Sequence, residues 1–333
     1  MEVRRTLPCN PCDINVEMKG TVNNADYRDR SLILAVIGVL LLAVGIVAAF
    51  LGPAEMYCFY LFSEGGRFHY EGFGFGSFMF GLIASQIIGY YLIAVFLIPL
   101  GYGHLKVRRW ARTLSLASLW FWLIAGLPLI AAFVVTLVVS KDPSAITMLI
   151  VVPLLGLSYL VIPGLLIWFY RSKSIRSTFE TKDPNSYWIE RLPVAVLVLC
   201  LSYFFYIIVL HVSIFFNGIF PLFKVLLFDL QGILLADLSI MLLVCLIWGT
   251  LKLKPWAWWG SLVYFGFLTL SSVLAFSKNG FSDIYTRMNF APIEIKSFQK
   301  IPFQDFHFTG LVGIPLLLTL GMIIYSKRHF KAG

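Results

Sequence analysis

Apolar residues in this chain come in long unbroken runs, not in the period-2 rhythm of a half-buried strand or the one-sided stripe of a helix lying against water. Eight runs stand out: 32–52, 78–100, 113–139, 146–170, 194–214, 231–250, 259–277 and 309–325. A helix crosses the hydrocarbon layer with roughly 20 apolar residues, so each run is long enough to span or nearly so. The pattern predicts an all-α, polytopic integral membrane protein with eight transmembrane helices. Residues 1–30 are polar and mixed in charge, which puts the first run too far along for a cleaved signal peptide and predicts that it stays as a span.

Details inside the runs refine this picture. Pro128, Pro153, Pro163 and Pro315 predict kinks, with the freed carbonyls satisfied by neighbouring helices. Gly81, Ser85 and Gly89 recur every fourth residue, a small-residue face that predicts close approach of another helix. Cys200 and Cys245 read as core residues, whereas Cys58 falls in the loop after the first run.

Composition excludes the soluble alternative. The chain is 59% hydrophobic and 13% charged, about half the charged fraction of a soluble domain, with a mean hydropathy of +0.85. A net charge of +9 would suggest nucleic acid in a soluble protein, but here the basic residues follow the loops. Of 26 Lys and Arg, 19 fall in the two tails and the loops 101–112, 171–193 and 251–258, and 7 in the intervening loops. Cytoplasmic segments retain Lys and Arg, so both termini are expected in the cytoplasm, and no nucleic-acid partner is expected. Trp and Tyr cluster near the ends of the runs, as rings favouring the headgroup layer do.

The most informative pattern is a self-match. Residues 103–116 (GHLKVRRWARTLSL) align without gaps to 249–262 (GTLKLKPWAWWGSL) at an offset of 146, with seven of fourteen positions identical. Each copy is a short turn between the second and third of four runs. The chain thus reads as a tail (1–30), a four-helix repeat (31–170), a linker loop (171–193), a second four-helix repeat (194–325) and a short tail (326–333). Four is even, so both repeats insert in the same orientation and are parallel, related by an axis along the membrane normal. In each turn Gly ends the incoming helix, basic residues (Lys106, Arg108; Lys252, Lys254) sit at the anionic leaflet, and Trp110 or Trp256 anchors the next helix as a headgroup contact. The Gly-x-Leu-Lys-x-x-x-Trp-Ala turn resembles those of bacterial membrane proteins, and a bacterial inner (plasma) membrane is the expected location.

Candidate chemistry is sparse. Asp237 and His211 are the clearest ionisable residues inside runs; both lie in the outer half of adjacent helices, where they are able to pair, and an intramembrane acid marks a functional position. Cys9 and Cys12 form a C-x-x-C with no second pair nearby, half of a closed metal site at most, a redox pair or acylation targets. A lone intramembrane His does not make a bis-histidine haem site. P-loop, H-E-x-x-H and G-x-S-x-G motifs are absent, and the glycines at 72, 74 and 76 read as a flexible turn. No cofactor and no enzymatic activity are expected.

The loops 53–77 and 278–308 are long and aromatic enough to receive a partner, 215–230 reads as an interfacial or re-entrant helix, and the basic start of 171–193 suits an anionic leaflet. The expected function is therefore a non-catalytic membrane subunit or scaffold held in the bilayer with other membrane proteins. The alternative is a transporter or channel for a small or amphipathic molecule, with its site between the two repeats.

Overall fold

A computed structural model describes residues 29–139, 145–288, 290–298 and 305–330 of the chain. Among them, eight helices are long and apolar enough to cross a membrane. Lipid offers the backbone no hydrogen-bond partners, so apolar runs of this length close all their N–H and C=O groups within a helix. The protein is an all-α, multi-pass integral membrane protein.

The first half comprises α1 (Ser31–Phe62), α2 (Phe78–Leu105), α3 (Arg109–Val139) and a fourth span made of α4 (Ala145–Gly156), a π-helical turn (Leu157–Val161) and α5 (Ile162–Arg171). A short helix, α6 (Lys173–Lys182), and a 3-10 turn (Trp188–Arg191) follow. The second half holds α7 (Val194–Phe215), a hairpin of β1 (Phe220–Leu222) and β2 (Val225–Leu227), α8 (Asp229–Leu251), α9 (Pro255–Lys278), α10 (Phe281–Arg287), α11 (Pro292–Phe298) and α12 (Asp305–Ser326).

Several local expectations are revised. α1 continues through Pro53 to Phe62, 32 residues in all, about 48 Å at 1.5 Å per residue. That exceeds a hydrocarbon core of about 30 Å, so its last turns project beyond it and Cys58 sits on a helix, not in a loop. Pro163 lies just past the π-helical turn. A proline clashes with the carbonyl four residues back, here Tyr159, and the wider π turn relieves that clash. The segment 215–230 is not a helix: Phe220 pairs with Leu227 and Leu222 with Val225, antiparallel. Phe223 at φ 51° and Gly218 at φ 66° turn the chain where a helix would have to continue. Cys245 is exposed on α8, while Cys200 is half-buried.

The closest helix pair is α1 with α2, and it is not built on the predicted stripe. Only Leu34, Gly38, Gly45, Ala48 and Gly52 are buried on α1. The three glycines are spaced by seven, and a Cβ on Gly38 would lie 2.9 Å from the Gly101 carbonyl oxygen; on Gly45, 2.8 Å from Ile98; on Gly52, 2.8 Å from the Tyr91 ring. Of the expected α2 face, Gly81 meets the Phe216 ring, but a Cβ on Gly89 would meet nothing within 4 Å.

The linker is structured. Ser172 caps α6 by accepting from the Ile175 N–H, and Ile175 and Phe179, one turn apart, are buried against Leu34, Val107 and Leu116. The second half has its own core of Tyr203, Phe265, Leu243, Leu246 and Ile323. The halves meet where α3 packs on α7 and α12, and α2 on α7. These elements are not equivalents of one another under the offset of 146.

Candidate functional site

The two self-matching turns adopt one geometry. Val107 and Leu253, at equivalent positions, have φ of 49° and 53°. The Arg108 N–H donates to the Gly103 carbonyl at 2.7 Å, and the Lys254 N–H to the Gly249 carbonyl at 2.9 Å. In both, the indole of Trp110 or Trp256 and the methyl of Ala111 or Ala257 press on the glycine, where a Cβ would stand 2.6 to 2.9 Å from them. The Gly, Trp and Ala identical in the two copies are thus residues that pack the turn closed. Lys106, Lys252 and Lys254 are exposed, as is Trp256, while Trp110 is half-buried.

The copies differ in what holds them. Arg108 pairs with Asp183 at 3.4 Å, and the Arg109 N–H at the start of α3 donates to the other Asp183 oxygen at 3.2 Å. Arg109 also pairs with Glu190 at 2.8 Å. Position 255, matching Arg109, is Pro, which has no N–H to satisfy and starts α9 unaided. Burial raises the Asp183 carboxyl, but the N–H of Arg109, the Tyr187 hydroxyl, the N–H of Asn185 and the Arg108 charge outweigh it and hold it below the ordinary carboxylate value. Arg108 is therefore engaged within the chain. Nearby, Asp29 accepts from the Ser31 N–H at 2.8 Å, which holds its carboxyl low, and lies 3.4 Å from Lys182. The linker thereby ties together the starts of α1 and α3.

His104 lies within α2 and is fully buried, not in a loop. Its Nδ1 is 2.8 Å from the Leu100 carbonyl and its Nε2 2.7 Å from the Tyr170 hydroxyl. A carbonyl only accepts, so Nδ1 carries the proton and Nε2 accepts from Tyr170. The equivalent residue, Thr250, is also buried, and its hydroxyl has no hydrogen-bond partner among the described residues.

At the opposite end of the bundle Glu294 of α11 is 6% exposed. Its carboxylate accepts from the N–H groups of Phe78, Met79 and Ala291 and from the Tyr70 hydroxyl. It thus caps α2 from the other half of the chain. Burial, with the Glu294 charge and hydrogen bond, pushes the Tyr70 phenol up to about 12.

Asp237 and His211 are not brought together: no hydrogen bond or ion pair joins them, and both are exposed. The His211 Nδ1 bonds to the Ile207 carbonyl of its own helix at 2.8 Å. Asp237 has no partner among the described residues. It lies eight residues into α8, about 12 Å along the helix axis. It shares the outward face with exposed Leu230, Leu234, Leu238, Met241 and Val244. The buried face of α8 runs instead through Gly232, Ala236, Ser239, Leu243 and Leu246. Cys9 and Cys12 lie outside the described residues.

Sequence reasoning did not find the cavity of about 610 Å³ between the halves, walled by α3, the π-helical turn, β1, α7, α9 and α12. None of its lining residues is charged. Its polar groups are the hydroxyls of Tyr159, Ser202, Tyr206, Ser213, Ser272 and Thr319, and exposed Leu129, Phe205 and Val209 stand at its rim. The β hairpin closes one end, held to α9 by Ser271, which donates to the Pro221 carbonyl and accepts from the Phe223 N–H. Scattered Ser and Thr in apolar runs were the available signal.

Fold and site together define a polytopic helical membrane protein. No family model, curated protein or solved structure matches the chain.

Proposed function

We propose that this protein is a non-catalytic integral membrane subunit or scaffold, and that the outward face of α8 seats a partner helix carrying Lys or Arg at the depth of Asp237. One observation carries the reading: Asp237 stands exposed on the outward side of a span with no partner among the described residues. A carboxylate there costs about 2.5 to 3.5 kcal/mol at mid-span, and a cation on a neighbouring helix offsets that cost. The apolar residues around it supply the surface on which a helix packs. The duplication of a four-helix unit, cytoplasmic termini and a bacterial inner membrane belong to this reading; the shared turn geometry and the Lys and Arg asymmetry support them.

The test is gentle extraction from native membrane, followed by sizing and mass spectrometry of wild type and Asp237→Leu. The reading expects a stoichiometric membrane protein with wild type and its loss from the variant. A chain that migrates alone, or a companion indifferent to Asp237→Leu, overturns it. The second reading, a carrier for a small or amphipathic molecule, is favoured by the cavity between the halves.

A further inference from the structure

The hydroxyls around the cavity between the halves have a defined pattern of spent and unspent protons. Thr319 Oγ1 is 2.9 Å from the Pro315 carbonyl and 2.9 Å from the Tyr206 hydroxyl. The carbonyl only accepts, so both bonds form only when Thr319 donates to Pro315 and Tyr206 donates to Thr319. Ser202 donates to the Val198 carbonyl at 3.0 Å, and Ser213 to the Leu210 carbonyl at 2.8 Å. Each of these hydroxyls has used its single proton inside the protein and keeps oxygen lone pairs. Ser272 and Tyr159 alone, among the described lining hydroxyls, have no hydrogen-bond partner. Every polar group in the cavity can accept from a ligand, and no lining residue offers a charge.

We infer that this cavity binds one neutral amphipathic molecule, a lipid alcohol, whose apolar chain fills the space among α3, α7 and α12 and whose hydroxyl donates to Tyr206. The volume of about 610 Å³ falls in the range of about 300 to 1,000 Å³ that encloses one small ligand. Ionic amphiphiles are disfavoured, because an uncharged, mostly apolar wall leaves their head group desolvated and without a counter-charge. A ligand without a donor leaves the Tyr206 lone pairs unused. The rim residues Leu129, Phe205 and Val209 are exposed on the surface that faces lipid, which gives a bilayer-dissolved molecule a way in. This is a statement about occupancy, independent of whether α8 holds a partner and of whether the molecule is moved.

The full chain in phosphatidylcholine nanodiscs is titrated with a diazirine-bearing hexadecanol, its methyl ether and the matching fatty acid, and crosslinks are mapped by peptide mass spectrometry. Labelling is expected on α7 and α12, with the alcohol favoured about fivefold over the ether, the worth of one hydrogen bond, and the fatty acid weakest. Tyr206→Phe, nearly the same volume, should make alcohol and ether equal, and Ser272→Trp should remove cavity labelling without changing elution on sizing. If Ser272→Trp does not fold, Tyr206→Phe still decides. Labelling spread evenly over lipid-facing residues, equal affinity of alcohol and ether for wild type, a fatty acid that binds as well as the alcohol, or a Tyr206→Phe protein that keeps the preference would each overturn the inference.

Discussion

Single carboxylates hold the ends of helices in place here, each from a distant part of the chain. Asp183 fixes the start of α3, and its carboxyl is held below the ordinary value of 3.8. A lowered carboxyl stabilises the fold above the unfolded value and stops doing so as pH falls through the folded one. Protection of 171–193 from protease should therefore persist from neutral pH down to about 4 and then fall, whereas Asp183→Ala should show the loss already at neutral pH. Removing the carboxylate leaves the Arg109 N–H without its acceptor, a cost of about 1 to 3 kcal/mol in thermal unfolding. Glu294→Gln should likewise loosen α2, because its amide NH2 would replace an oxygen that accepts two of the four hydrogen bonds, facing either the N–H groups of Phe78 and Ala291 or the Met79 N–H and the Tyr70 hydroxyl. Hydrogen exchange at Phe78 and Met79 should quicken while the turn at Gly103 keeps its protection; unchanged exchange at Phe78 would contradict the cap. Asp237 was legible in the sequence as an acid within an apolar run. Its isolation from His211 was not, since that depends on how far α8 is rotated about its axis. His104 was misplaced for the same kind of reason: the partner that buries it, Tyr170, is 66 residues away.

At the scale of elements, run length located every span, because lipid leaves an apolar run no alternative to a helix. Packing was harder to read. Gly38, Gly45 and Gly52 were visible at a spacing of seven, but the shorter Gly81, Ser85, Gly89 stripe drew attention to a face that is only half used. The two faces make opposite predictions. Gly38→Val sets a side chain against the backbone of Gly101 and Leu105 and should cost about 2 kcal/mol or more. Gly89→Ala meets open space and should leave the melting temperature within a degree or two of wild type, or raise it slightly through better helix propensity. Equal losses for the two would contradict the α1–α2 packing. Helix α6 carries its own local signals, whereas the hairpin at 220–227 interrupts an apolar stretch. Ser172 stands ahead of Ile175 and Phe179, and Arg176 pairs with Glu180 one turn on. The polar context of the linker masked the signals of α6, and the apolar context of 215–230 masked the hairpin.

For the whole molecule, the self-match between 103–116 and 249–262 reports a shared turn, and the structure gives the identical Gly, Trp and Ala of each copy a reason to be there. The halves nevertheless meet through non-equivalent helices, leaving a cavity on one side and α8 with Asp237 on another. An exposed Asp237 with no partner among the described residues sets stability and assembly against each other. Asp237→Leu should raise the melting temperature of the isolated chain, by the equivalent of about 2 kcal/mol, while weakening any complex that depends on the acid. The central claim is that α8 seats a partner helix, and crosslinking in the native membrane tests it most directly. A photoreactive residue at Leu234, Leu238 or Met241 should capture one membrane protein, through a peptide holding Lys or Arg within an apolar run, and Asp237→Leu should abolish the capture. Crosslinks that go only to lipid, or that survive Asp237→Leu undiminished, would contradict it.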